Sequence, residues 1–226
     1  MPDLAAIDAY IESEMARARI PGLALAIVSG DEMLHVRGFG VADPAGRVVS
    51  GETPFIIGSN SKSFTALAIM QLVEAGRIDL DAPVHRYLPW FRVADAEASR
   101  QITVRHLLHH TSGIPTAAGQ ALAGDDDNSD QALERHVRAL RTVELTQPVG
   151  HLYQYSNANY NVLGLLVQAV SGLSYENYVR THIFAPLEMS DSFASEEEAL
   201  QHGLATGYQR WFGFPRPAPI TPWAGA

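Results

Sequence analysis

Two short constellations carry side chains that could do chemistry together. The first is Ser59-Asn60-Ser61-Lys62, an S-x-x-K spacing. A serine hydroxyl is a weak nucleophile until a neighbouring base activates it. Three residues apart at a helix start, Ser59 and Lys62 share one face. Lys62 is also the one lysine among sixteen basic residues, the other fifteen being Arg. Arginine stays protonated in proteins, whereas a buried lysine can give up its proton and act as a base. A bias towards Arg with one leftover Lys accounts for the composition equally well, and S-x-x-K by itself recurs by chance in a chain this long. The second constellation is Tyr155-Ser156-Asn157. A phenol and an amide two apart on an extended segment point the same way and could be brought to a serine elsewhere. The plain alternative for this Tyr- and Asn-dense stretch is a polar loop with left-handed turns.

Both constellations adjoin apolar runs that must position them. From Ser61 to Ala75 nearly every side is apolar, which predicts a buried helix stopped by Gly76. Leu4, Ile7, Ile11, Met15 and Ala18 predict an amphipathic helix over 3–19, ended by Pro21-Gly22. The runs Leu23 to Val28 and Met33 to Val41, joined by Ser29-Gly30-Asp31, predict a β-hairpin. Residues 77–89 read as an ordered loop with a short helix, and Thr103 as the cap of a helix through Leu108. Residues 115–130 read as loop, followed by helices over about 130–141, 159–171 and 174–185, the last stopped by Pro186. From Trp211 onward, aromatics alternate with prolines in no helical or strand period, and no element is predicted.

Bulk properties narrow the classes. A formal net charge of −9 argues against a nucleic-acid partner. The absence of cysteine removes disulfides and thiolate metal sites. Met1-Pro2-Asp3 opens no signal peptide, and no window is apolar for the length of a membrane span. A trimmed leader would leave no trace, so the compartment stays open. The acidic run Asp125 to Asp130 invites a calcium reading. It lacks the glycine at position six, however, and has His136 where a bidentate Glu belongs. His106, His109 and His110 invite zinc, but H-E-x-x-H needs a Glu where Leu107 stands, so packing and capping roles are favoured. Gly58-Ser59-Asn60-Ser61 breaks the G-x-S-x-G of an α/β-hydrolase, and no P-loop is present.

With these motifs in place, the chain resembles the serine β-lactamase and penicillin-binding protein superfamily, in the branch of class C β-lactamases, family VIII esterases and D-amino-acid peptidases. The resemblance rests on Ser59 and Lys62 as S-x-x-K and on Tyr155-Ser156-Asn157 as Y-x-N. The family-like stretches Leu107 to Gly113 (LLHHTSG), Tyr155 to Gly172 and Ile183 to Met189 add to it. It implies an α+β, β-lactamase/transpeptidase-like fold divided into residues 1–58, 59–200 and 201–226. These would be the N-terminal helix and hairpin of the sheet domain, a helical domain carrying both motifs, and the start of a return to the sheet. It further implies a cofactor-free acyl-enzyme mechanism on a small-molecule acyl substrate: a β-lactam, an ester or a D-amino-acid peptide. Ser59 would be nucleophile, Lys62 base and Tyr155 proton shuttle, with Asn157 binding substrate.

One family feature is missing. The third motif, K-T-G or H-x-G on the facing strand, has no counterpart: no Lys follows Asn157, and His202-Gly203 does not fit. The expectation is therefore a truncated or split enzyme, completed by a C-terminal segment or complementary chain. The alternative is a non-catalytic recognition module of the same fold.

Overall fold

The computed structural model of the chain describes residues 3–120 and 131–218. In chain order the elements are α1 (Leu4–Ala18), β1 (Gly22–Ser29), β2 (Glu32–Gly40), α2 (Ser61–Glu74), α3 (Ala96–Gln101), α4 (Val104–Leu108) and α5 (Thr116–Gln120). There follow α6 (Ala132–Ala139), α7 (Asn157–Ser171), α8 (Tyr175–Val179), α9 (Glu196–Gln201), β3 (Tyr208–Trp211) and β4 (Phe214–Pro217). The described residues of 1–56 and 191–220 form one compact unit, and those of 57–190 form another. Among the described residues no helix is long and apolar enough to cross a membrane.

The first unit is built on the predicted hairpin. β1 and β2 pair antiparallel, with a register shift between Ile27 and Val28. Asp3 caps α1 by accepting from the Ala6 N–H, and Asp8 on that helix meets His35 and Arg37 on β2 at 2.9 and 2.5 Å. The Asp8 carboxyl is held below the ordinary aspartate range by these two hydrogen bonds. A glycine is required at Gly38, because a methyl there would sit 2.0 Å from the Val49 carbonyl oxygen. Ala42, Val49 and Ala205 form a small buried cluster beside it.

The region after 208 departs from expectation. Tyr208–Trp211 and Phe214–Pro217 form a second antiparallel hairpin, turning through Phe212 and Gly213 at φ 48° and 82°. The strands are four residues each, and β4 contains Pro215 and Pro217, so the hairpin carries too few positions to show a period in sequence.

The second unit is helical, and its centre is α7 rather than α2. Ala158 to Val167 are all buried. α2 buries Thr65, Ala68, Ile69 and Leu72 but leaves Leu67 and Met70 at 42% and 45% exposure, which corrects the expectation of a helix buried all round. An apolar composition permits burial on every side, but packing partners decide how much of it occurs. Phe64 of α2 meets Phe184 edge-on at 5.4 Å, and Thr65 shares a 2.7 Å hydrogen bond with Tyr175 of α8. The helix expected over 174–185 is α-helical only through Val179, and Arg180–Phe184 forms a wider π turn. Pro186 has no N–H to give the His182 carbonyl, and the Gln71 side chain donates to that oxygen instead at 3.0 Å.

Candidate active site

Ser59 lies in a single 3-10 turn, Gly58–Asn60, immediately before α2. Two side chains close that turn: Ser61 Oγ donates to the Gly58 carbonyl at 2.6 Å and Asn60 Nδ2 to the Ile57 carbonyl at 3.0 Å. Lys62 stands in the first turn of α2, and its Nζ donates to Ser59 Oγ at 3.3 Å. The Tyr155 hydroxyl reaches the same oxygen from the other side at 2.7 Å. The Lys62 ammonium also faces two aromatic rings, 5.3 Å from the centroid of Tyr155 and 5.6 Å from that of Tyr160. Ser59 is exposed, whereas Lys62 and Tyr155 are half-buried.

Tyr155 lies outside any helix or strand, and neighbouring segments hold its backbone. The Gln154 N–H donates to the His110 carbonyl at 2.7 Å, and the Ser156 N–H to His110 Nδ1 at 3.2 Å. Thr116 Oγ1 donates to the Tyr155 carbonyl at 2.5 Å, and Ser156 Oγ to the Pro115 carbonyl at 3.0 Å. His110 is itself fixed from behind. Ser112 Oγ donates to Asn159 Oδ1 at 2.7 Å, which turns the Asn159 amide NH2 towards His110 Nδ1 at 3.1 Å. The His110 ring stacks at a tilt against Tyr155 and Tyr160, with centroids 4.6 and 5.2 Å away.

Charge follows from this arrangement. Burial, aided by the nearby Lys62 charge, lowers the His110 pKa to about 4. The imidazole is therefore neutral at pH 7, and its two donors at Nδ1 place the ring proton on Nε2. Burial alone would raise the Tyr155 pKa, but hydrogen bonding with Lys62 and Ser59, together with the Lys62 charge, outweighs it and holds the phenol below 10. Tyr160, buried and facing Tyr155 and Tyr153, is shifted upward.

Ser59, Lys62 and Tyr155 thus converge on one oxygen. Asn157 is placed differently from expectation. α7 begins at Asn157, so it does not share an extended strand with Tyr155; the buried Ser156 turns the chain into the helix. α5 comes so close there that a methyl at Gly119 would lie 2.8 Å from Asn157 Cβ. α5 also occupies part of the stretch expected to be loop, and the acidic run Asp125 to Asp130 lies outside the described residues.

The three histidines separate. His106 completes a capping box with Thr103, its Nδ1 accepting from the Thr103 N–H at 3.2 Å. His110 faces the site. Thr116 and Tyr160 carry no chemical signal in the sequence, and His110 drew notice only within the His106, His109, His110 cluster, where packing and capping roles are favoured. A further signal for His110 was its place in the family-like LLHHTSG stretch.

The chain is similar to known proteins in both sequence and fold. The family described as Beta-lactamase matches residues 7–226. Penicillin-binding protein 4 of Amycolatopsis lactamdurans is 38% identical over 204 residues, which cover 89% of this chain and 52% of that protein. The octameric penicillin-binding protein homologue from Pyrococcus abyssi superposes with a TM-score of 0.82 at 32% identity, covering 97% of this chain and 51% of that one. EstCE1, a hydrolase with promiscuous acyltransferase activity, superposes with a TM-score of 0.78 at 26% identity, over 92% of this chain and 57% of that one. The chain spans about half the length of each of these relatives.

Proposed function

The chain belongs to the β-lactamase family, and from that premise we propose that it carries the nucleophilic half of a serine hydrolase acting through an acyl-enzyme. The observation that carries this reading is the approach of Lys62 Nζ and the Tyr155 hydroxyl to Ser59 Oγ, at 3.3 and 2.7 Å. Lys62 donates to Ser59, which leaves the serine proton free to point at the Tyr155 oxygen. In the proposed sequence Lys62 is the base that keeps Tyr155 deprotonated in the reactive state. The Ser59 oxygen attacks the acyl carbon while its proton passes to Tyr155. The acyl–leaving-group bond then breaks, and Tyr155 returns that proton to the departing nitrogen or oxygen. Water completes hydrolysis by the same route in reverse, regenerating the Ser59 hydroxyl. Asn157 is proposed to orient the substrate amide, and the Ser59 N–H to serve as one oxyanion donor.

The substrate class is a small acyl compound: a β-lactam, an ester or a D-amino-acid peptide. A second oxyanion donor, which the family pattern places on the K-T-G or H-x-G strand, has no counterpart in these 226 residues. Losing one such donor costs roughly a hundredfold in rate or more. The 226-residue chain is therefore expected both to acylate and to turn over more slowly than an enzyme with two donors.

Incubation with a fluorescent penicillin or a fluorophosphonate, followed by peptide mapping, tests the reading. A covalent adduct on Ser59, absent from Ser59→Ala, is the expected result. A folded chain that takes up neither probe would instead be a recognition module of the same fold.

A further inference from the structure

Resting on the acyl-transfer reading above, we propose that His110 and Thr116 are positioning residues that hold the Tyr155 hydroxyl on Ser59 by fixing the backbone on both sides of Tyr155. Residues 153–156 belong to no helix or strand, so no ladder of backbone hydrogen bonds fixes their course. A phenol stands at the far end of a long side chain, where a small backbone rotation becomes a large displacement of its oxygen. His110 and Thr116 supply the missing constraint. His110 binds the chain before Tyr155 through its carbonyl and after it through Nδ1, while Thr116 holds the Tyr155 carbonyl between them.

The His110 acceptor is doubly engaged. Its Nδ1 receives two donors, one from the Ser156 backbone and one from an Asn159 amide oriented by Ser112. Ser112 and Asn159 are fully buried and His110 is 7% exposed, so water cannot replace a lost acceptor cheaply. His110 also sits at φ 55°, a left-handed conformation uncommon outside glycine but adopted by Asn, Asp and His more readily than by other residues. A histidine kept there, with its ring against Tyr155, meets three demands together: an acceptor nitrogen, a flat packing face and tolerance of positive φ. Neither His110 nor Thr116 reaches the Ser59 oxygen in any described contact; both act through Tyr155.

The experiment compares His110→Phe and Thr116→Val with the conservative pair His110→Asn and Thr116→Ser, all in the 226-residue chain. Asparagine retains an acceptor near the position of Nδ1 and accepts positive φ; serine retains the donor hydroxyl. Two readouts are taken: the rate of Ser59 labelling by a fluorophosphonate, and the titration of Tyr155 followed by NMR with ring-labelled tyrosine. His110→Phe and Thr116→Val are expected to slow labelling by about a hundredfold, the scale of a misplaced catalytic group. They are also expected to raise the Tyr155 titration towards that of a free tyrosine. His110→Asn and Thr116→Ser are expected to restore both readouts towards wild type. If His110→Phe fails to fold, Thr116→Val, with its half-buried side chain, carries the test alone.

Labelling and Tyr155 titration unchanged in folded His110→Phe or Thr116→Val would overturn the proposal. A wild-type chain that takes no label would defeat the acyl-transfer reading but not this one. In that case the Tyr155 titration alone decides whether the cradle holds the phenol in place.

Discussion

The hydroxyl of Tyr155 lies 2.7 Å from Ser59 Oγ although 96 residues separate them in the chain. The contact joins a turn at the head of α2 to a segment just before α7, and it places a phenol of lowered pKa on the oxygen proposed to attack. A proton acceptor of this kind gives a rate that rises with pH until the phenol is ionised. Labelling of Ser59 is expected to climb and level off with an inflection below 10, the ordinary tyrosine value. Tyr155→Phe should remove that inflection and slow labelling by roughly a hundredfold to ten-thousandfold. A Phe variant with an unchanged pH profile would remove Tyr155 from the reaction.

Lys62 offers a sharper test of charge against proton transfer. Lys62→Arg keeps a cation facing Tyr155 and Tyr160 but cannot give up its proton at accessible pH. Lys62→Ala removes both functions. Both variants are expected to lose labelling by about a hundredfold or more, the scale of a positioned acid–base group. If Lys62→Arg labelled at the wild-type rate, Lys62 would serve only as a fixed charge.

His110 ties stability to pH. Its pKa falls from 6.5 to about 4 on folding, so between those values the unfolded chain binds the proton and the folded chain does not. The contribution is complete above pH 6.5 and declines as pH falls towards about 4. Aspartates such as Asp8, held below their ordinary 3.8, titrate beneath this window. The thermal midpoint of the wild-type chain should therefore drop across the window, and the drop should be shallower in His110→Asn. Equal slopes in the two proteins would mean that His110 is not buried neutral.

The contrast between α7 and α2 can be read from denaturant unfolding. Leu163 and Leu166 on α7 are fully buried, and truncating either to Ala is expected to cost about 2–5 kcal/mol. Leu67 and Met70 on α2 are 42% and 45% exposed, and truncation there should cost less than about 1 kcal/mol. Comparable losses on both helices would show that the outer side of α2 is covered in solution.

Gly119 links packing to the site. A methyl at this position would press on Asn157 Cβ and on the Ala158 nitrogen, both at 2.8 Å. Backbone cannot yield as a flexible side chain does, so Gly119→Ala is expected to displace the start of α7. It should slow Ser59 labelling and lower the thermal midpoint together. Unaltered labelling with a lowered midpoint would limit Gly119 to a packing role.

Local rules determined much of this protein. Helical spacing marked α1, an apolar run and a loosely alternating run about a Ser-Gly-Asp turn marked the first hairpin, and Thr103 declared its own cap. The S-x-x-K and Y-x-N spacings, with family-like text around them, single out Ser59, Lys62 and Tyr155, and the fold brings these three to one oxygen. The tertiary structure decided how α2 is covered, because an apolar helix does not specify its neighbours. It also decided where Asn157 falls, since a buried Ser156 starts α7 there instead of extending the chain. Above all it decided what holds Tyr155. His110 and Thr116 lie 45 and 39 residues before it, and a hydrogen bond across that separation has no sequence period. It exists only once α4, α5 and α7 have packed around the same loop.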